Sequence, residues 1–267
     1  MDSITYWRER KLETLKQIAE MGYIDTNKMV ESFIRDNYSL IDSLAKQLLD
    51  LSGKYDNIRD LTNSNEFKNL TYQINVAINK LSQEQRTWMK DLLEFQVNSI
   101  SEKTSAELGF NFFLERTELE RLLNTDWVGD GSNWSYRVWK NKNSLIDALN
   151  TTVKKGILQG WSVDTMVKEL AKKLHDVSRS RLVALARTEA MHFINEAQRL
   201  TYMQGGVQEV EIMVAEDERT CDYCEPLDGV VKPIDSPDLP PYHPRCRCTI
   251  VPHMSSWANP LSDVDLE

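Results

Sequence analysis

The chain has 267 residues, 41% of them hydrophobic, 27% charged and 9% aromatic, which excludes a disordered or collagen-like protein and leaves room for one or two domains with a real core. A mean hydropathy of −0.48, with no apolar run near the ~18 residues of a membrane span, excludes a transmembrane protein. The net charge of −9 excludes a general nucleic-acid glue, whose surface must attract phosphate.

The opening run Met1-Asp2-Ser3-Ile4-Thr5-Tyr6-Trp7-Arg8-Glu9-Arg10 has no apolar core of a secretory signal, so a cytosolic chain is expected. Ile4, Trp7, Leu15 and Ile18 fall on one helical stripe, and Val30, Phe33, Ile34, Ile41, Leu44, Leu48 and Leu51 on a second. Thr26 or Asn27 is placed to cap that second helix. Trp88, Leu92 and Phe95 predict a third helix, opened by Ser82; Leu119, Leu122 and Leu123 predict a fourth. Between Trp127 and Trp139 the pattern breaks into a turn-rich stretch with Gly129, Gly131, Trp134 and Tyr136. Aromatics this dense cement helix junctions, base stacking being the functional alternative.

Ser144 is then expected to cap a helix bearing Leu145, Leu149, Val153 and Ile157 and ending near Gly156 and Gly160. Ser162 opens another, with Val163, Met166, Val167, Leu170 and Leu174 inward. A helix from about Ser180 to Gln204 stops at Gly205-Gly206 and carries Leu182, Ala186, Phe193, Ala197 and Leu200 on one face. Glu189 falls inside that stripe; it reads as an anchor for a neighbouring loop, or as a catalytic carboxylate. The period then changes to two: Val210, Ile212 and Val214 alternate with Glu209, Glu211 and Met213 as a strand. Asp228-Gly229 marks a turn, and Cys248 to Val251 a returning strand. Between Arg137 and Arg187, eleven Lys or Arg face four acids, a segment of +7 against −16 elsewhere. It reads as a solvated helical face, or as a contact for DNA or an acidic partner.

All four cysteines lie within Cys221-x2-Cys224 and, after 18 intervening residues, His243-Pro244-Arg245-Cys246-Arg247-Cys248. Cys221 and Cys224 have the spacing of a metal knuckle, and Cys246 and Cys248 on a strand would face the same side. Four thiolates, with His243 as an alternative ligand, suit a structural Zn²⁺ that replaces missing core in a strand-poor lobe. Free structural cysteines and disulfides are the competing readings.

The run Arg187-Thr188-Glu189, Asn195 and Ala197 on the following helix, Asp217-x-Arg219-Thr220-Cys221-x2-Cys224, Leu227-Asp228-Gly229 and Pro240-Pro241-x-His243-Pro244-x-Cys246-Arg247-Cys248 resembles the phage Mu F-like head-morphogenesis family. These are minor head (minor capsid) proteins of tailed bacteriophages. The resemblance extends upstream through Gly156 and Gly160 to Trp134-Ser135-Tyr136-Arg137-Val138-Trp139-Lys140-Asn141, and includes the start Tyr6-Trp7-x-x-Arg10. Family members often carry Trp a few residues before Asp-x-Arg-Thr-Cys, where this chain has Met213.

The resemblance implies a non-enzymatic virion component that associates with the portal protein during procapsid assembly, in the host cytoplasm. Such a protein stays in the phage head interior near the portal vertex and the DNA, with a role in DNA packaging or ejection. Scaffold or major capsid protein are further partners; DNA contact would be weak and non-specific, and no membrane is involved. It marks Arg187, Thr188, Glu189, Asp217, Arg219, Asp228 and Gly229 as structural motif residues. The competing classes are a phage-associated enzyme (a nuclease or an ADP-ribosyltransferase-type toxin) and a zinc-ribbon DNA-binding protein. Against them stand scattered histidines (His175, His192, His243, His253), no phosphate-cradling loop and the net acidity. The expected fold is mainly α (α+β): an elongated helical region over 1–130, then an F-like domain over 131–255 with helices in 144–204 and a Cys/His lobe in 207–252. A polar tail over 256–267 completes the chain.

Overall fold

A computed structural model describes residues 3–215 and 217–253, with side chains described from residue 9 onward. The Ile4, Tyr6 and Trp7 side chains and the 256–267 tail therefore lie outside the described residues. Helices dominate: α1 (Ser3–Asn37), α2 (Ser39–Leu49), α3 (Ile58–Asn63), α4 (Asn65–Leu108), α5 (Arg116–Asn124), α6 (Trp134–Gln159), α7 (Val163–Lys172) and α8 (Ser178–Gln204). A π-helical turn, Lys173–Val177, joins α7 to α8. Strands β1 (Glu209–Met213), β2 (Val231–Pro233) and β3 (Thr249–Pro252) form one antiparallel sheet in the order β2-β1-β3. Mainly helical with a small C-terminal sheet, the fold has the expected class.

Contacts gather the chain into two units whose boundaries fall inside α1, α4 and α8. One unit holds residues 29–90 and 125–185. In it α2 packs on α7 and α6 on α7, around a core that includes Tyr38, Leu48, Leu61, Ile74, Met166 and Leu174. The other holds, of the described residues, 3–28, 91–124, 186–215 and 217–253, and buries Leu15, Leu93, Ile100, Phe193, Ile194, Tyr202 and Val210.

Where the sequence signals were strong, the chain obeys them. Ser162 caps α7 by accepting the Thr165 N–H at 3.1 Å, and Gly160 ends α6 in the left-handed region at φ 64°. At the end of α8, Gly206 (φ 78°) donates to the Met203 carbonyl and Val207 to that of Tyr202, the paired bonds that close a helix on glycine.

Several helix starts lie elsewhere than expected. Thr26 and Asn27 cap nothing, because α1 runs through them. The buried Thr26 hydroxyl donates to the Gly22 carbonyl one turn back at 2.9 Å, so it is satisfied inside a helix and has no need to end one. Ser82 is likewise interior to α4, whose first turns present Phe67, Leu70, Ile74, Ile78 and Leu81 to the core. Ser144 lies inside α6; the cap is Asn133, which accepts the Tyr136 N–H at 3.0 Å. Gly156 does not end that helix either: it is buried within it, and a β-carbon there would meet Met166 Sδ at 3.0 Å. Phe95 and Ile157 are exposed, off the buried stripes of their helices. In the aromatic stretch only Trp134 is buried. Tyr136 and Trp139 are exposed and stack on each other at 5.2 Å, because both lie on the solvent face of the α6 that the stretch turns out to begin.

The basic segment is partly neutralised where it folds. Arg179 makes a two-pronged pair with Asp42 at 2.6 and 2.8 Å and covers the Tyr38 ring. Arg137 reaches Asp130, Lys168 reaches Asp164 and Lys173 reaches Glu169.

Candidate metal centre

The lobe after α8 has a small apolar cluster around Ile212 and Val214, and α8 is hydrogen-bonded to its last strand. β1 alternates as predicted: Val210, Ile212 and Val214 are buried, whereas Glu209, Glu211 and Met213 are half-buried. Beyond β1 the chain turns at Asp217–Thr220, where the Thr220 N–H donates to the Asp217 carbonyl at 2.9 Å. It then enters the first cysteine pair. The Cys224 N–H donates to the Cys221 carbonyl at 2.9 Å, and Glu225 N–H does the same at 3.0 Å. This tight turn swings both thiols to one side.

The second half of the site comes from the loop before β3. Cys246 N–H donates to the His243 carbonyl at 3.0 Å, and Arg245 between them sits at φ 64°. This is the left-handed backbone region, which few non-glycine residues adopt. Cys246 lies in this turn, ahead of β3 at Thr249–Pro252. The expectation that Cys246 and Cys248 face one way along a strand is thus corrected: the turn, rather than the pleat, aims Cys246.

The five candidate ligands are drawn together in two overlapping groups, Cys221–Cys224–His243 and Cys224–Cys246–Cys248, each with its ligand atoms within 4.8 Å of one another. His243 Nε2 lies 3.2 Å from Cys221 Sγ and 3.1 Å from Cys224 Sγ, and Cys224 Sγ lies 3.9 Å from Cys246 Sγ. His243 Nδ1 stands 2.9 Å from the Pro244 carbonyl. A carbonyl only accepts, so Nδ1 carries the proton and the lone pair of the neutral ring is on Nε2, toward the thiols. Cys224, Cys246 and Cys248 are buried among Ile212 and Val214.

Electrostatics in the cluster are uneven. Burial pushes the Cys224 thiol up to about 12. The Cys246 thiol falls to about 5, chiefly because Cys248 donates to it, with backbone N–H groups adding to the effect. Cys221 is lowered, first by the backbone N–H of Cys224. Cys248 is raised by its hydrogen bond to Cys246 and by burial. For His243 burial works against the charged ring, but the Pro244 carbonyl and the Cys246 and Cys221 sulfurs outweigh it and raise its pKa. Soft sulfur and imidazole donors at these separations, in a small buried volume, are compatible with a metal ion.

Around the cluster, the motif residues act as ties. Asp217 accepts from both Arg247 guanidinium nitrogens, one at 2.6 Å, and from Arg219 at 2.9 Å. Asp228 accepts the Val214 N–H at 2.9 Å, and Gly229 (φ 73°) donates to the Ile212 carbonyl. Together they close the 214–228 loop onto β1. From α8, Thr188 Oγ1 accepts the Arg245 N–H at 3.0 Å and Asn195 donates to the Cys248 carbonyl at 3.0 Å. Arg187 lies apart, donating to Asn27 at 2.7 Å beside the Tyr23 ring. Glu189 is 1% exposed on the same helix.

Two further α8 residues complete the tie and were not singled out from the sequence. Gln198 Oε1 accepts from the Thr249 hydroxyl at 2.7 Å, and the Tyr202 hydroxyl donates to the Ile250 carbonyl at 3.3 Å. A signal existed: Thr188, Asn195, Gln198 and Tyr202 follow one another by seven, three and four, a polar stripe on a helix face that reads as core. Met213, where relatives were expected to carry Trp, lines a cavity of about 370 Å³ with Tyr23, Met191, Asp217 and Arg247.

Residues 147–251 match the family model described as Phage Mu protein F like protein. Over this segment the chain is similar to the phage Mu F-like family. The match covers less than half of the chain, from inside α6 to β3; comparison with curated proteins found no match, and comparison with solved structures found none. The matched segment contains the metal-compatible cluster and every tie just described except Arg187's bond to Asn27 and the α1 wall of the cavity. Among the described residues no helix is long and apolar enough to cross a membrane.

Proposed function

We propose that the chain is a minor head protein that associates with the portal protein during procapsid assembly and stays in the head near the DNA. The observation that carries this is the match to the F-like family over 147–251. Scaffold or major capsid protein are secondary partners, and a role in packaging or ejection follows from a place beside the portal vertex. In this reading residues 131–255 are the F-like unit, and the helices before it belong to assembly contacts. The Cys/His cluster is structural: a zinc ion there would supply cross-links in place of apolar core. The motif residues Arg187, Thr188, Glu189, Asp217, Arg219, Asp228 and Gly229 then hold the lobe and its helix together and carry no chemistry of their own.

The test is co-purification of the tagged chain with the portal protein of the same phage. A stable complex supports the reading, and absence of any complex with portal, scaffold or major capsid protein counts against it. DNA contact is expected to be weak, sequence-independent and steeply salt-dependent, because it depends on the basic groups of Arg137–Arg187, several of them paired with acids, in a chain of net charge −9. An electrophoretic titration between low and moderate salt checks this; tight binding that persists at high salt contradicts it.

A further inference from the structure

We propose that one zinc ion is held by Cys221, Cys224, His243 and Cys246, with Cys248 outside the coordination shell. The inference rests on the structural-metal reading above and refines it. A set of four thiolates with His243 in reserve would pair Cys221-x2-Cys224 with Cys246-x-Cys248, two unlike turns. The structure instead shows two turns of the same length and closing bond, the second differing in its left-handed Arg245. Cys221-x2-Cys224 is closed by the Cys224 N–H on the Cys221 carbonyl at 2.9 Å, and His243-x2-Cys246 by the Cys246 N–H on the His243 carbonyl at 3.0 Å. Each is a knuckle of the same spacing, and each delivers two donors to one side.

Three of the six edges lie close to those of one tetrahedron, and Cys246, outside the Cys221–Cys224–His243 group, has to close on it when the ion binds. With Zn–S near 2.3 Å and Zn–N near 2.05 Å, sulfur–sulfur edges are about 3.8 Å and sulfur–nitrogen edges about 3.5 Å. The Cys224–Cys246 separation of 3.9 Å already fits. The His243 Nε2 contacts at 3.2 and 3.1 Å need to open by only a few tenths of an ångström. His243 is also the donor whose orientation is fixed in advance, since the Pro244 carbonyl at 2.9 Å holds Nδ1 and leaves Nε2 facing both knuckle thiols. Cys246 and Cys248 both join Cys224 in the second group and neither joins the first, so what separates them is place in the chain: Cys246 closes a knuckle and Cys248 does not. Cys248 sits beyond the knuckle, next to β3, where Asn195 holds its carbonyl. A three-sulfur, one-nitrogen set also leaves one negative charge in this buried place, where four thiolates would leave two.

The full chain, purified with zinc, is examined by metal analysis and by X-ray absorption at the zinc edge. One zinc per chain with three sulfurs and one nitrogen is the expected result. One zinc with four sulfurs overturns the ligand set and leaves the metal reading standing; a chain with no stoichiometric zinc overturns both. Variants give an independent readout. Cys248→Ser is expected to keep a full equivalent of zinc and the cobalt-substituted charge-transfer spectrum of the parent. Cys246→Ser and His243→Ala are expected to lose at least tenfold in zinc affinity in a chelator competition. Loss of zinc from Cys248→Ser, with far-ultraviolet dichroism like that of the parent, contradicts the assignment.

Discussion

Asp217 shows how much a single side chain carries in this lobe. Arg247 first, and Arg219 with its side chain and backbone N–H, hold the Asp217 carboxyl well below the usual carboxylate range. Because the folded-state pKa is depressed, the stability it contributes is complete above the unfolded value of about 3.9 and is lost as pH falls through the folded value. Asp217→Asn is therefore expected to lower the melting temperature near neutrality, with the gap to the parent closing below about pH 4. A gap that stays constant down to about pH 3 would show that Asp217 acts by some means other than its charge. The same residue was visible in the sequence only as part of Asp-x-Arg-Thr-Cys. Its main partner, Arg247, is 30 positions on, and no spacing rule joins them.

At the scale of elements, the close approach of α1 and α4 turns on Gly22. A β-carbon there would meet Gln96 Oε1, Ile100 Cδ1 and Ile194 Cδ1, each at 3.0 Å. Gln96 uses the space, donating to the Gly22 carbonyl and the Thr26 hydroxyl at 3.0 Å each. Gly22→Val forces apart three neighbours on two helices and adds a β-branched residue to α1. An overpacking loss of about 1–3 kcal/mol is expected, read as a fall in the denaturant midpoint at unchanged slope. An unchanged midpoint would mean that the helices separate at no cost. The capping signals at Thr26, Ser82 and Ser144 misled. Ser and Thr are good caps and tolerable helix-interior residues; Thr26 and Ser82 are buried within their helices, whereas Ser144 is exposed inside an α6 already capped upstream by Asn133. The reading of Ser162 as a cap matches the structure.

For the molecule as a whole, the C-terminal lobe and the unit of residues 29–90 and 125–185 have different means of support. Residues 29–90 and 125–185 rest on a broad apolar core. The C-terminal lobe has a small cluster around Ile212, Val214, Cys224, Cys246 and Cys248, supplemented by the α8 polar stripe. Loss of one knuckle thiol should therefore act locally. In Cys221→Ser, amide hydrogen exchange is expected to speed up in 209–252 while α2 and α7 keep their protection. Equal protection in parent and variant throughout 209–252 would show that the cysteines add nothing to the lobe.

Periodicity by itself determined that this chain is helical for its first two hundred residues and turns to strands after Gly205-Gly206, because apolar spacing and glycine act over a few residues. It also determined that four cysteines and a histidine crowd one short segment, and the ordered motifs around them matched the F-like family. Only the tertiary structure decided which of those ligands pair in turns of the same length and closing bond. The left-handed Arg245 and the His243–Pro244 hydrogen bond are conformations, and a conformation has no fixed letter code. It also decided the helix boundaries and the polar ties from α8 to β3. Those contacts join residues about fifty positions apart, and what selects them is burial, a property of the folded chain.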